Sequence, residues 1–155
     1  MTLGREWIEA HVPQKEGMCL LDEVLSWDSE QVLCRSATHH CANHPLRAHE
    51  QLGSACAIEY AAQAAAVHGA LRESGGGSTS RLGLLVSVRD VELAVVRLDT
   101  VAGDLLVHVR RIQSDARGAL YAFEVSAQQA TQPSAPLARG RLSLWLDGAA
   151  GAGSA

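Results

Sequence analysis

The feature that most limits what this chain can become lies near its middle, in HEQLGSACAIEYAAQAAAVHGALR, residues 49–72. Ala, Leu, Gln and Glu favour a helix, and Gly53 and Gly69 weaken that preference only a little. Ala55, Ala57, Ala61, Ala62, Ala64, Ala65, Ala66 and Ala70 nearly surround the axis. Packed interiors leave no room for bulk where backbones run close together, so a helix this bare suits enclosure from several sides at once. A curved sheet wrapped around it would do that. Between residues 51 and 71 stands one carboxylate, Glu59, flanked by Ile58, Ala61 and Ala62. Gln63 follows one turn later, and Leu52 and Cys56 share its side of the helix.

Beyond the helix the apolar period changes to two. RLGLLVSVRDVELAVVRLD, DLLVHVRRIQSD, ALYAFEVSAQQ and APLARGRLSLWLD are Val/Leu-rich, alternating and parted by polar or Gly-containing turns, the signature of antiparallel strands. They are expected to form a four-strand meander. Before the helix, residues 3–10 read as a short amphipathic helix with Leu3, Trp7 and Ile8 on one side, stopped by Pro13. Residues 30–37 read as a strand entered through an Asp28-Ser29 turn. ATHHCANHPLRAHE, with Pro45, reads as a loop. SGGGSTS, residues 74–80, has no Gly-Lys-Ser/Thr ending and reads as a flexible connection, not a phosphate cradle. The expectation is one α+β domain over residues 1–147, an antiparallel sheet wrapped around one long Ala-rich helix, with a frayed tail at 148–155. Such a sheet keeps an open edge, which invites pairing with a second subunit.

Composition excludes several classes. Of the 155 residues 47% are hydrophobic and 19% charged, which speaks against disorder and against a coiled-coil rod. A net charge of −4 argues against nucleic-acid binding, which relies on a basic face. No apolar run approaches the roughly 20 residues of a bilayer span. The opening MTLGREWIEAHV has neither the basic nor the apolar region of an export signal, so a cytoplasmic protein is expected. Cys19, Cys34, Cys41 and Cys56 form no C-x-x-C pair and read as free thiols packing as small apolar groups. With three Trp, two Tyr and one Phe, the core must be filled by Val, Leu and Ala.

Two sets of residues could carry chemistry. A carboxyl shut away in an apolar helix has its charged form disfavoured, which suits proton transfer. The alternative for Glu59 is a place on the one wetted stripe of the helix. The second set is His39-His40-Cys41-x-x-His44, with His49 following. Imidazole and thiolate bind zinc, but this spacing does not match a tetrahedral site, and neighbouring histidines on a strand point to opposite faces. No metal is expected there. His68, nine residues past Glu59, reads as a satisfied structural histidine.

MCLLDEV at 18–24, NHPL at 43–46 and AIEYAAQAAAVHGAL at 57–71 resemble the hot-dog-fold 3-hydroxyacyl-ACP dehydratases. The likeness is to the small branch found in bacterial aryl-polyene and related pigment clusters. RLGLLVSVRDVEL at 81–93 extends it, so the resemblance covers most of residues 8–112. The I-E-Y-x-A-Q core of the helix is its distinctive part.

The resemblance implies a dimer in which the central-helix acid, here Glu59, works with a histidine from the opposite subunit. That histidine takes a proton from C2 of the thioester, the acid protonates the departing hydroxyl, and N–H groups at the helix start polarise the carbonyl. It implies substrate-side roles for Gly53, Ser54, Ala57, Gln63 and His44. The substrate would ride on the phosphopantetheine of an acyl carrier protein or on CoA, with no other cofactor. Pantetheine would enter near residues 43–50, where Arg47 could meet an acidic carrier protein. One departure matters. The family histidine belongs to a P-H-x-x-x-M loop, and this chain reads Pro13-Gln14-Lys15-Glu16-Gly17-Met18. A neutral amide cannot accept the proton, although it can donate to a carbonyl oxygen. Three arrangements remain: His11 reaches the site, a His-bearing hot-dog partner completes it in a heterodimer, or Glu59 alone serves as the base of a thioesterase. A non-catalytic subunit shaping a partner's pocket is the alternative outside enzymes.

Overall fold

A computed structural model describes residues 3–12, 18–74, 83–128 and 135–146. The chain begins with a two-residue strand, β1 (Leu3–Gly4), and a short helix, α1 (Arg5–His11). Ile8 of α1 is fully buried and Trp7 packs against the core. Arg5 ties this start to the chain entering the next strand, with Nη1 3.1 Å from Asp22 Oδ1. Strands β2 (Glu23–Trp27) and β3 (Gln31–Ser36) form a hairpin. Its turn is organised by Asp28, whose Oδ1 accepts the N–H groups of Glu30 at 2.8 Å and Gln31 at 3.1 Å, the local bonding that makes Asp a turn former. Along β3, Val32, Cys34 and Ser36 alternate inward, as a half-covered strand should.

Two 3-10 turns, Thr38–His40 and Ser54–Cys56, lead to the central helix α2 (Ala57–Ser74). This helix is shorter at its start than composition suggests. His49 and Glu50 take positive φ values of 52° and 62°, and Ala48 pairs with Gln51, so residues 48–51 form a turn. The backbone of Leu52 is engaged at both ends: its N–H donates to Asp99 Oδ1 at 3.0 Å, and its carbonyl accepts from Leu98 N–H at 2.8 Å. Those contacts hold it out of any helical ladder.

Four strands follow: β4 (Gly83–Leu93), β5 (Leu105–Ser114), β6 (Gly118–Ala127) and β7 (Ala138–Leu146). The seven strands of the described residues make one sheet in the order β1-β2-β3-β5-β6-β7-β4, antiparallel throughout. The expected meander therefore holds only for β5, β6 and β7. Strand β4 lies at the far edge against β7, and β5 pairs with β3 instead. The reason is the path between them. Leaving β4, the chain bonds to the start of α2 through Val96 C=O and Ser54 N–H at 3.0 Å, crossing that end of the helix before it turns into β5.

Strands β3 to β7 all touch α2. Ala57, Ala61, Ala64, Ala65 and Val67 have no exposure at all, while Ala62, Ala66 and Ala70 keep less than a tenth. The alanines are small because backbone or strand side chains stand close on most sides. The rest of the core is aliphatic, with Leu20, Leu21, Val24, Val107, Val109, Val125 and Leu142 among its members, plus the fully enclosed Tyr60 and Tyr121. Among the described residues no helix is long and apolar enough to cross a membrane. The tail at 148–155 and the connection at 75–82 lie outside the described residues.

Candidate active site

Glu59 sits in the first turn of α2 and is half-buried, neither sealed in the core nor on an open face. Its neighbour one turn along, Gln63, is fully buried. The Gln63 amide is spent within the fold. Oε1 accepts Leu20 N–H at 2.8 Å, while Nε2 donates to Met18 C=O at 2.9 Å and to Glu59 Oε1 at 3.3 Å. Gln63 thus binds the chain, not an open surface, and joins the carboxylate to the Met18–Leu20 segment. Gln14, expected opposite Glu59, lies outside the described residues, as does the rest of 13–17. Met18, the first residue described after that loop, is 42% exposed.

The Leu20 peptide is held from its other side as well. Its carbonyl accepts the hydroxyls of Ser36 and Thr38, the latter at 2.7 Å. Thr38 Oγ1 meets Tyr60 OH at 2.7 Å, and Tyr60 OH meets His44 Nε2 at 3.1 Å. Leu46 N–H donates to His44 Nδ1 at 3.0 Å, so Nε2 carries the proton and donates to Tyr60. Both nitrogens of His44 are therefore occupied, and the side chain pins the loop that holds the NHPL motif. Burial, followed by the charge of Arg47, pushes the His44 pKa down. Burial pushes the Tyr60 phenol up to about 12, so it stays a hydroxyl. Sequence reasoning misses both Tyr60 and Thr38. The one signal for Tyr60 is its place beside Glu59 in I-E-Y, and Thr38 leaves none.

At the start of α2, Ser54 N–H is bound to Val96 C=O at 3.0 Å and Cys56 N–H to Gly53 C=O at 3.1 Å. Those two groups are thus already engaged, which narrows the set free to polarise a carbonyl. Gly53 is exposed, and a methyl group there would meet nothing within 4 Å. Ser54 is almost covered, and Ala57 faces the core with no exposure. Asp99 fastens this corner by accepting from Leu52 N–H and from the Arg97 guanidinium. The Arg97 contact and the Leu52 bond hold its carboxyl far below the usual range.

His11 ends α1 with its ring stacked on Trp7 at 4.1 Å and Nδ1 2.8 Å from Trp7 O. His39 and His40 lie in a 3-10 turn, not a strand, and their rings do not diverge. Their centroids are 3.8 Å apart and both Nε2 atoms point at Val101 O, at 3.1 and 2.7 Å. His39 Nδ1 is buried with no partner among the described residues. His68 is satisfied on both sides, by Tyr121 OH and Asp28 O at 2.8 Å each. A concavity of about 560 Å³ lies elsewhere, on the sheet between Arg110, Ala122, Glu124, Arg139 and Arg141, and α2 contributes nothing to its lining.

Comparison with known proteins fits this arrangement. A search of curated proteins finds no match. Among solved structures the chain resembles the dehydratase heterocomplex ApeI:P from Xenorhabdus doucetiae, at 22% identity and a TM-score of 0.78 over 90% of each chain. It also resembles a mutant thioesterase from Pseudomonas aeruginosa, at 14% identity and a TM-score of 0.61 over 95% of this chain and 96% of that one. Zebrafish thioesterase superfamily member 2 matches at 13% identity and a TM-score of 0.61 over 92% and 94%. At such identities these likenesses establish the fold, a hot-dog sheet around its helix. The model of the ApeP dehydratase family matches residues 6–146, a span that takes in nearly all of α1, the whole of α2 with Glu59 and Gln63, and every strand from β2 to β7. The chain belongs to the ApeP-like family of dehydratases.

Proposed function

We propose that this chain is the acid-bearing part of a dehydratase that removes water from 3-hydroxyacyl thioesters to give 2-enoyl thioesters. The family match across residues 6–146 carries the reading, and the half-buried Glu59 held by Gln63 supplies the acid. Glu59 gives its proton to the C3 hydroxyl, which leaves as water. A base takes the C2 proton, and the electrons of that C–H bond become the second bond between C2 and C3. A histidine of a hot-dog partner subunit serves as the base, because Gln14 has no basic nitrogen to offer. Gln14, standing where the family histidine would, takes no part in removing the C2 proton and keeps only the capacity to donate to a carbonyl oxygen. The substrate is carried on the phosphopantetheine of an acyl carrier protein or on CoA, passes the loop around Arg47, and approaches α2 at the unobstructed Gly53. The partner meets the open edge of β4. That the ApeI:P structure is itself a heterocomplex supports a mixed assembly.

The test is an assay on 3-hydroxyacyl-ACP, with the chain alone and mixed with a His-bearing hot-dog subunit. Expected are weak turnover alone, a gain on mixing, and a loss on the order of 100-fold or more with Glu59→Gln, which is what a positioned general acid contributes. Gln14→His should raise turnover of the chain alone. Thiol release without enoyl product would mean a thioesterase. Turnover of the mixture that survives Glu59→Gln would mean a non-catalytic subunit.

A further inference from the structure

We infer that Gln63 is a positioning residue of the dehydration site. It orients the Glu59 carboxyl and, with the same amide, fixes the Met18–Leu20 segment. This rests on the reading of Glu59 as the acid.

Three observations lead there. First, the position requires an amide. Leu20 N–H needs an acceptor and Met18 C=O needs a donor, at 2.8 and 2.9 Å, so a side chain offering only one kind of atom leaves the other group unmet. The two demands also fix which atom is oxygen and which is nitrogen. Second, with one hydrogen of the NH2 group given to Met18, the other falls to Glu59 Oε1 at 3.3 Å. That bond ties one oxygen of the Glu59 carboxyl to the amide and so restricts how the carboxyl can turn. Third, the anchor is enclosed and held from several sides. Gln63 has no exposure, it projects from a helix enclosed by strands, and the Leu20 peptide it grips is held again at its carbonyl by Ser36 and Thr38. A half-exposed glutamate has several rotamers to choose from. Gln63 narrows that choice from a fully buried position, and proton transfer depends on such alignment.

One amide therefore ties the acid on α2 to the Met18–Leu20 segment. Substrate need not touch Gln63 for this, which separates the role from the substrate contact that the family resemblance suggests.

The experiment compares Gln63→Glu and Gln63→Met with the unaltered chain in the 3-hydroxyacyl-ACP assay, each mixed with the His-bearing subunit, after unfolding curves confirm that the variants fold. Gln63→Glu keeps an acceptor for Leu20 N–H and, when protonated, a donor for Met18 C=O, whereas Gln63→Met keeps the shape without either. The expected result is a turnover rate reduced by about tenfold or more, with KM changed by no more than about threefold, and no further loss when either change is added to Glu59→Gln. A KM rise at unchanged turnover rate would overturn the inference in favour of substrate binding. Equal turnover in all three proteins, or losses that multiply with Glu59→Gln, would overturn it as well. If Glu59→Gln itself leaves turnover intact, the assignment of the acid fails first, and that result is distinguishable because it does not involve Gln63.

Discussion

Tyr60 illustrates how much a single buried hydroxyl can organise. It accepts a hydrogen bond from His44 and meets Thr38, which carries the connection on to the Leu20 carbonyl. Tyr60→Phe removes the middle of that chain and leaves buried partners unmet, for which a loss of about 1–3 kcal/mol in unfolding free energy is expected, read from urea melts. The histidines add a pH dependence at the same scale. Burial pushes the pKa of His39, His44 and His68 below the ordinary 6.5. Below that value the unfolded chain takes up protons that the folded chain refuses, so stability is full above it and falls as the pH drops through the interval beneath it. Melts at about pH 7.5 and about pH 5.5 should show the loss, and His68→Gln should reduce it. Gln63 belongs here too, since its identity and its place one turn after Glu59 are legible in the I-E-Y-x-A-Q run while its other two partners are not. Met18 and Leu20 lie 45 and 43 positions away, beyond the reach of any local pattern.

Among the elements, α2 is the one whose sequence most directly states its surroundings. Alanines on nearly every side of one axis call for close neighbours, and the strands supply them. Ala61→Leu, at a position with no exposure, should cost about 1–3 kcal/mol in a denaturant melt because no space exists for the added carbons. The strand pattern is equally readable, and β4 to β7 appear within the stretches that alternate. Their turns depend on backbone more than composition shows. At Gly118 a methyl group would collide with the Leu144 carbonyl oxygen, so Gly118→Ala should lower the Tm where Gly4→Ala, with nothing nearby, leaves it close to unchanged. The start of α2 falls at Ala57, not at His49 where composition would put it, for a physical reason. Residues 49–53 have helical composition, but Asp99 and Leu98 claim the Leu52 backbone, and tertiary hydrogen bonds outweigh a few tenths of a kcal/mol of propensity.

For the molecule as a whole, the edge of β4 is the unfinished side. Leu85, Val88 and Leu93 are 41%, 38% and 43% exposed along it, on a strand eleven residues long that pairs on one side only among the described residues. Long apolar edges are templates for pairing unless charge or cover intervenes. Val88→Lys should therefore weaken association with a second hot-dog subunit, measured by sedimentation velocity or size-exclusion profiles of the mixture, while leaving the Tm of the isolated chain close to the parent's. An unchanged profile would move the interface elsewhere. The enclosure of α2 is uneven in the same sense. Its middle is sealed by strands, while Gly53, Ala55 and Glu59 at its start keep some contact with solvent and can be met from outside.

What the sequence determined by itself was local and periodic: an alanine helix that must be enclosed, strands with a period of two, the Asp28 turn, and one carboxylate in an apolar setting with the motif around it. Those follow from neighbours within a turn or a pleat. Tertiary structure alone decided that β4 sits beside β7, that His39 and His40 share one carbonyl, that His44 clamps a loop, and that Gln63 joins Glu59 to Met18 and Leu20. Each of these depends on segments far apart along the chain, fixed by where buried polar groups find partners, and short-range pattern holds no record of that.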